Sequence, residues 1–165
     1  MTKLPFLQSY SGQTAEQLLS LEGEYRIDSL VLVFEEALGK KAYRDGASAL
    51  SAEENVILAI EALEREVNNG GYSQFFENSS QEYAPIIVPA LIRIGCPKTA
   101  EITQTAIESL HLPDLSVEAI EAVVAANEMN IEVLNDCDNS YFGTGEDIAG
   151  QLFAFIKKNR DAISL

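Results

Sequence analysis

Glu66-Val67-Asn68-Asn69-Gly70-Gly71-Tyr72-Ser73-Gln74-Phe75-Phe76-Glu77-Asn78 is where a strongly periodic run stops, breaks at two glycines and restarts on aromatic residues set among side-chain amides. Upstream of it, Ser51-Ala52-Glu53-Glu54 is a capping box, and Val56, Ala59, Ile60, Leu63 and Val67 mark one apolar face at helical spacing. This spacing predicts a helix that closes at Asn68-Asn69-Gly70, with Gly70 as its left-handed terminus. Glu61 and Arg65 read as an i, i+4 pair on the solvent side. A short helical element is expected from Tyr72 to Glu77, followed by a polar loop of Asn78, Ser79 and Ser80. A helix, a glycine break and a second helix set the class.

Working outward, no segment alternates with period two, and helix signals recur on both sides. Thr14-Ala15-Glu16-Gln17 is a second capping box, opening a short helix to about Glu22. Ile27, Leu30, Val31, Phe34, Leu38 and Tyr43 give a helix from Arg26 to Arg44, stopped by Asp45-Gly46. The apolar segment Tyr83 to Ile94 holds Pro85 and Pro89 and predicts a kinked or late-starting helix closed by Gly95. Pro97 opens another through Ile102, Ala106 and Leu110. After the loop His111 to Asp114, Ser116 caps a long helix to about Asp136, and a last helix runs from about Glu146 to Arg160. The expectation is an all-α, single-domain helical bundle of about six to seven helices over residues 1–165.

Composition bounds the function. Hydrophobic residues make up 47% of the 165, which excludes a disordered chain and allows a full core. The formal charge is -15, so nucleic acid and anionic lipid are repelled and any partner chosen by charge is basic. Cys96 and Cys137 have neither C-x-x-C spacing nor a neighbouring His, which fits a reduced, cytoplasmic setting. Met1 to Gly12 contains one Lys and no apolar run, so a signal peptide is not expected there. The apolar segments Leu30–Phe34 and Ile86–Ile92 are too short to span a bilayer.

The distribution of charge says more than its total. Between Lys98 and Lys157 there is no Lys or Arg, against eleven acids. On one long helix, Glu118, Glu121, Glu128, Glu132 and Asp136 would fall in a single quadrant opposite Ile120, Val123, Val124, Ile131 and Leu134. Helices that need charge only for solubility usually interleave Lys at i+4, and this one does not. Such a stripe would be roughly 27 Å long. Duplex DNA of that length carries about 16 charges, so an imitation of DNA requires several helices on one surface, and two copies of the chain.

The central stretch also carries a resemblance. Glu66-x-Asn68-Asn69-Gly70-Gly71-Tyr72-x-Gln74-Phe75-Phe76-x-Asn78, then Ala90-Leu91-x-x-Ile94-Gly95, resembles the bacterial domain of unknown function typified by the dimeric DNA-mimic proteins. Leu50-Ser51-x-Glu53-Glu54 and Asn135-x-x-Asp138-x-x-Tyr141 are similar to the same family, extending the likeness over about residues 25–160. The resemblance implies an all-helical homodimer whose acidic surface imitates duplex phosphates and occupies the DNA-binding face of a transcription regulator or another basic DNA-binding protein. It implies neither catalysis nor a cofactor.

The expected partner-binding carboxylates are therefore Glu118, Glu121, Glu128, Glu132 and Asp136, supported by Asp138, Glu146 and Asp147. Glu66, Asn68, Asn69, Gly70, Gly71, Gln74, Phe75, Phe76 and Asn78 read as structural, with amides satisfying backbone where two helices break. The alternative for them is a small polar ligand pocket. An immunity-type nuclease inhibitor is a second binding function. Asp136-x-Asp138-x-Ser140 with Thr144 and Asp147 echoes a calcium loop, although Tyr141 stands where that loop needs Gly. Glu108-x-x-His111 has the spacing of half a di-metal carboxylate site but lacks a second copy. Neither a G-x-S-x-G turn nor a phosphate-binding glycine loop is present.

Overall fold

Thr14 opens the first helix as its capping box requires: its hydroxyl accepts from Gln17 N–H at 3.2 Å while Gln17 Oε1 accepts from Thr14 N–H at 2.9 Å. The computed structural model describes residues 3–165. Met1 and Thr2, part of the stretch read for a signal peptide, lie outside the described residues. The fold is all-α, as expected. Among the described residues the eight α-helices are α1 (Ala15–Leu19), α2 (Ile27–Asp45), α3 (Ala52–Glu77), α4 (Ala84–Ile94), α5 (Pro97–Glu108), α6 (Val117–Ala125), α7 (Ile131–Phe142) and α8 (Ile148–Lys158). None of them is long and apolar enough to cross a membrane.

Two compact units are formed, one by residues 3–61 with Asp147–Leu165 and the other by Ala62–Glu146. In the first, α2 packs on α8 and α1, burying Leu30, Phe34, Leu38, Leu152 and Ile156. Its polar anchor is Glu54, whose side chain is 1% exposed. Glu54 pairs with Lys41 Nζ at 2.8 Å and also accepts from the backbone of Ser51 and Ser164. Ser51 Oγ in turn accepts the capping bond from Glu54 N–H at 3.0 Å. A buried ion pair of this kind is retained only when its remaining hydrogen-bonding groups are filled, and here they are. Tyr43, counted on the apolar face of α2, is 96% exposed. It lies in the last turn before Gly46, beyond the part of α2 that is buried.

In the second unit α5 packs between α4 and α7, and the 3₁₀ turn Ser79–Tyr83 touches α4 and α6. Pro97 begins α5 and Gly95 ends α4 in the left-handed conformation, both as the sequence predicts. Tyr72, Phe75 and Phe76 are fully buried. Thr103 Oγ1 donates to the Thr99 carbonyl at 2.8 Å, so at 2.7 Å it receives the Tyr72 hydroxyl proton.

Three expectations are corrected. Glu61 is not on a wet face but buried, because every residue from Val56 to Leu63 is buried and α3 there has no solvent side. The left-handed break in α3 is Gly71 (φ 79°, ψ -175°), not Gly70, which keeps helical geometry. The position is displaced by one because Asp138 Oδ1 takes the Tyr72 N–H at 2.7 Å while Oδ2 of the same carboxylate lies where a Gly71 Cβ would stand. The long helix from Ser116 to Asp136 is instead two. α6 ends at Ala125, where Asn127 is left-handed (φ 55°) and the Glu128 and Asn127 N–H groups return to Val123 and Val124 carbonyls, a Schellman closure. Asn130 then caps α7 through Val133 N–H at 3.2 Å.

Gly71→Ala is expected to destabilise the protein by about 2–4 kcal/mol, since it combines a glycine-only conformation with a collision against a carboxylate. Urea denaturation followed by circular dichroism measures this; a loss below about 1 kcal/mol would mean that the bend relaxes without Asp138.

Candidate functional site

The amide-rich motif closes on one carboxylate. Glu66 sits in the last turn before the break, and its side chain faces back across the restart of the helix. Gln74 Nε2 and Asn78 Nδ2 donate to Glu66 Oε2 at 2.7 and 2.9 Å, and Ser80 Oγ donates to Oε1 at 2.7 Å. Glu66 is 6% exposed, and these three donors are uncharged side chains. Burial raises its pKa, but the donors Gln74, Ser80 and Asn78, with help from the charge of Arg65, outweigh that and hold it below the ordinary glutamate value. Gly70 is needed because the Gln74 side chain passes over its backbone on the way to Glu66. Phe75 and Phe76 meet edge to face at 5.5 Å in the core. Asn68 turns back to the Glu64 carbonyl and Asn69 is exposed, so the four amides do not line one ligand pocket.

The three supporting acids all have work inside the fold. Asp138 is half-buried against the Gly71 bend, and burial lifts its pKa although the Tyr72 N–H opposes it. Glu146 caps α5, accepting from Lys98 N–H at 2.9 Å, Thr99 N–H at 2.8 Å and Thr99 Oγ1 at 2.7 Å. Cys96 precedes that helix without a side-chain cap, and Glu146 supplies what it cannot. Asp147 caps α8 through Gly150 N–H at 3.0 Å. Since Asp136 and Asp138 lie on α7 and Asp147 is a helix cap, the stretch from Asp136 is not a calcium loop. Glu108 is exposed and accepts from Gln104 Nε2 at 2.8 Å, and among the described residues no cluster of His, Cys, Asp and Glu could hold a metal ion.

The remaining five acids face solvent. Glu118 and Glu121 lie on α6, Glu128 in the turn, and Glu132 and Asp136 on α7, all exposed. The turn removes the single straight stripe but leaves an i, i+3 pair and an i, i+4 pair, each pointing outward without an interleaved Lys.

A model of one family, described as DMP19-like protein, matches residues 48–159, about two thirds of the chain. The chain belongs to the DMP19-like family. No curated protein and no solved structure matches it. The DMP19-like span starts at residue 48, later than the residue 25 read from the motifs, and holds both the Glu66 cluster and every exposed acid of α6 and α7.

Two features of this DMP19-like chain escaped the sequence. Ser80 completes the Glu66 cluster although it reads as loop polarity. Glu64, in the helix that precedes the break, is desolvated and its carboxyl is pushed up to about 7. A count of polar residues in α3 shows neither its burial nor its proton.

These two glutamates give opposite pH dependences. Glu64 keeps its proton in the folded state above the ordinary value of 4.5, so its contribution to stability falls as pH rises from 4.5 to about 7, by up to about 3 kcal/mol. Glu66 is depressed, so its contribution is present above 4.5 and lost as pH falls through its folded value. Glu64→Gln is expected to raise Tm at pH 8 and leave it unchanged near pH 4, while Glu66→Gln costs about 2–3 kcal/mol at pH 7. Thermal melts of both variants from pH 4 to 8 check the signs; identical pH profiles for wild type and Glu64→Gln would refute the assignment.

Proposed function

We propose that this protein is an acidic DNA mimic, without catalytic activity, that binds the DNA-binding face of a basic regulator in place of the duplex. The observation that carries this reading is the exposure of uncompensated charge: of the eleven acids between Lys98 and Lys157, nine are exposed. Membership of the DMP19-like family supports it, because the motif resemblance implied the same role.

The contact residues of this proposal are Glu118, Glu121, Glu128, Glu132 and Asp136. Asp138, Glu146 and Asp147 are set aside from it, since their oxygens are already bonded within the fold. Binding would be steered at long range by the field of α6 and α7 and weakened as salt shortens the Debye length from about 10 Å at 0.1 M to about 3 Å at 1 M. The charge of one chain, -15, matches that of only about 25 Å of duplex, so the acting species in this reading is a homodimer.

Glu121→Lys, Glu128→Lys and Glu132→Lys together are expected to abolish partner binding and to leave the helix content intact, as exposed substitutions usually change stability by less than about 0.5 kcal/mol. The measurement is affinity capture of DNA-binding proteins from a bacterial extract, with duplex DNA as competitor and an unrelated chain of equal charge as control. Recovery of the same DNA-displaceable protein by wild type and triple variant alike would sink the proposal.

A further inference from the structure

Between α5 and α7 lies a groove of about 220 Å³, lined by Ile102 and Thr105 from α5 and by Val133, Asp136, Cys137 and Ser140 from α7. The α7 residues follow an i, i+3, i+4, i+7 order, so they form one continuous seam against α5. Ile102, Val133 and the uncharged Cys137 thiol supply apolar walls, and Thr105, Asp136 and Ser140 are exposed at the rim. A cavity of roughly 150 Å³ is enough to hold benzene, so this one accommodates a single large aliphatic or aromatic side chain. Its surroundings are acidic. Asp136 belongs to the wall, exposed Glu132 lies one turn before it on α7, and exposed Glu101 and Glu108 lie one turn either side of Thr105 on α5.

An apolar notch inside an acidic field selects a particular chemistry. A second copy of this chain would bring like charge to the groove. A DNA-binding face offers the matching pattern, because such faces combine Lys and Arg with apolar side chains that touch thymine methyl groups or wedge between base steps. We propose that the α5–α7 groove is the anchor point of the partner and takes one Leu, Ile, Met or Phe side chain flanked by Lys or Arg on its DNA-binding surface. This rests on the DNA-mimic reading and adds to it a term that salt does not screen: apolar burial in the notch gives register, while the carboxylates around it give attraction.

The test uses the full chain and two synthetic helical peptides of equal positive charge, one with Leu at i, i+4 and i+7 among Lys and Arg, the other with Ala at those positions. Fluorescence anisotropy is read at 0.1 and 0.5 M NaCl. The expected result is at least tenfold tighter binding of the Leu peptide, with that ratio kept at the higher salt while both affinities fall. Thr105→Phe and Ser140→Trp, each on the exposed rim, are expected to fill the groove and bring the ratio to about one without weakening the Ala peptide; circular dichroism verifies that they fold. Equal affinity of the two peptides for wild type, or a ratio that survives in both filled variants, overturns the groove. Failure of the underlying reading looks different: the triple Lys variant then binds both peptides as wild type does.

Discussion

A neutral solution to a charged problem holds the second unit together. The carboxylates of Glu66, Asp138 and Glu146 are wholly or partly withdrawn from water, and each is satisfied by N–H or O–H donors of uncharged groups. A buried carboxylate left without donors would take up a proton or unfold its surroundings. Donors drawn from Gln74, Asn78, Ser80 and Thr99 avoid both outcomes at Glu66 and Glu146, while at Asp138 the Tyr72 N–H only opposes the effect of burial; these donors are spread over the α3 break, the following turn and the start of α5. The bend at Gly71, the seating of Tyr72 in the core and the start of α5 all depend on these bonds.

Much of this was legible in local sequence. The capping boxes at Thr14 and Ser51, the breakers Gly46 and Gly95 and the initiator Pro97 each act within a few residues of themselves, so one sequence is enough to place them. The misreadings have another origin. Asp138 decides that Gly71 rather than Gly70 leaves the helix, yet it is 66 residues away from the N–H it binds. Glu61 is wet by pattern and dry in fact because α3 is buried on every side from Val56 to Leu63, which periodicity along one helix does not show. The end of α6 was readable: Asn127 is the residue type best suited, after Gly, to a left-handed closure. Apolar periodicity on both sides of it concealed the break.

The candidate site divides along the same line. That Glu118, Glu121, Glu132 and Asp136 are exposed follows from their lying opposite the apolar positions, which the pattern exposes well. Which acids are engaged inside the fold does not follow from it, since Asp138, Glu146 and Asp147 are indistinguishable by type from those left outside. The groove between α5 and α7 is tertiary in origin, arising where residues of two separate helices fail to fill the space between them.

Because the Glu66 cluster uses amides and a hydroxyl rather than Lys or Arg, the residues that give the family its motif and the residues proposed to meet a partner share no atoms. The two sets are therefore under separate constraints. A substitution at Gln74 or Gly71 is judged by folding, whereas one at Glu121 or Glu132 is judged only by whatever binds there. On the proposed reading, descendants of such a chain can exchange one partner for another by redrawing surface charge while keeping the motif intact. Membership of the family then reports ancestry and architecture, and the identity of the partner has to be read anew from the exposed face of each member.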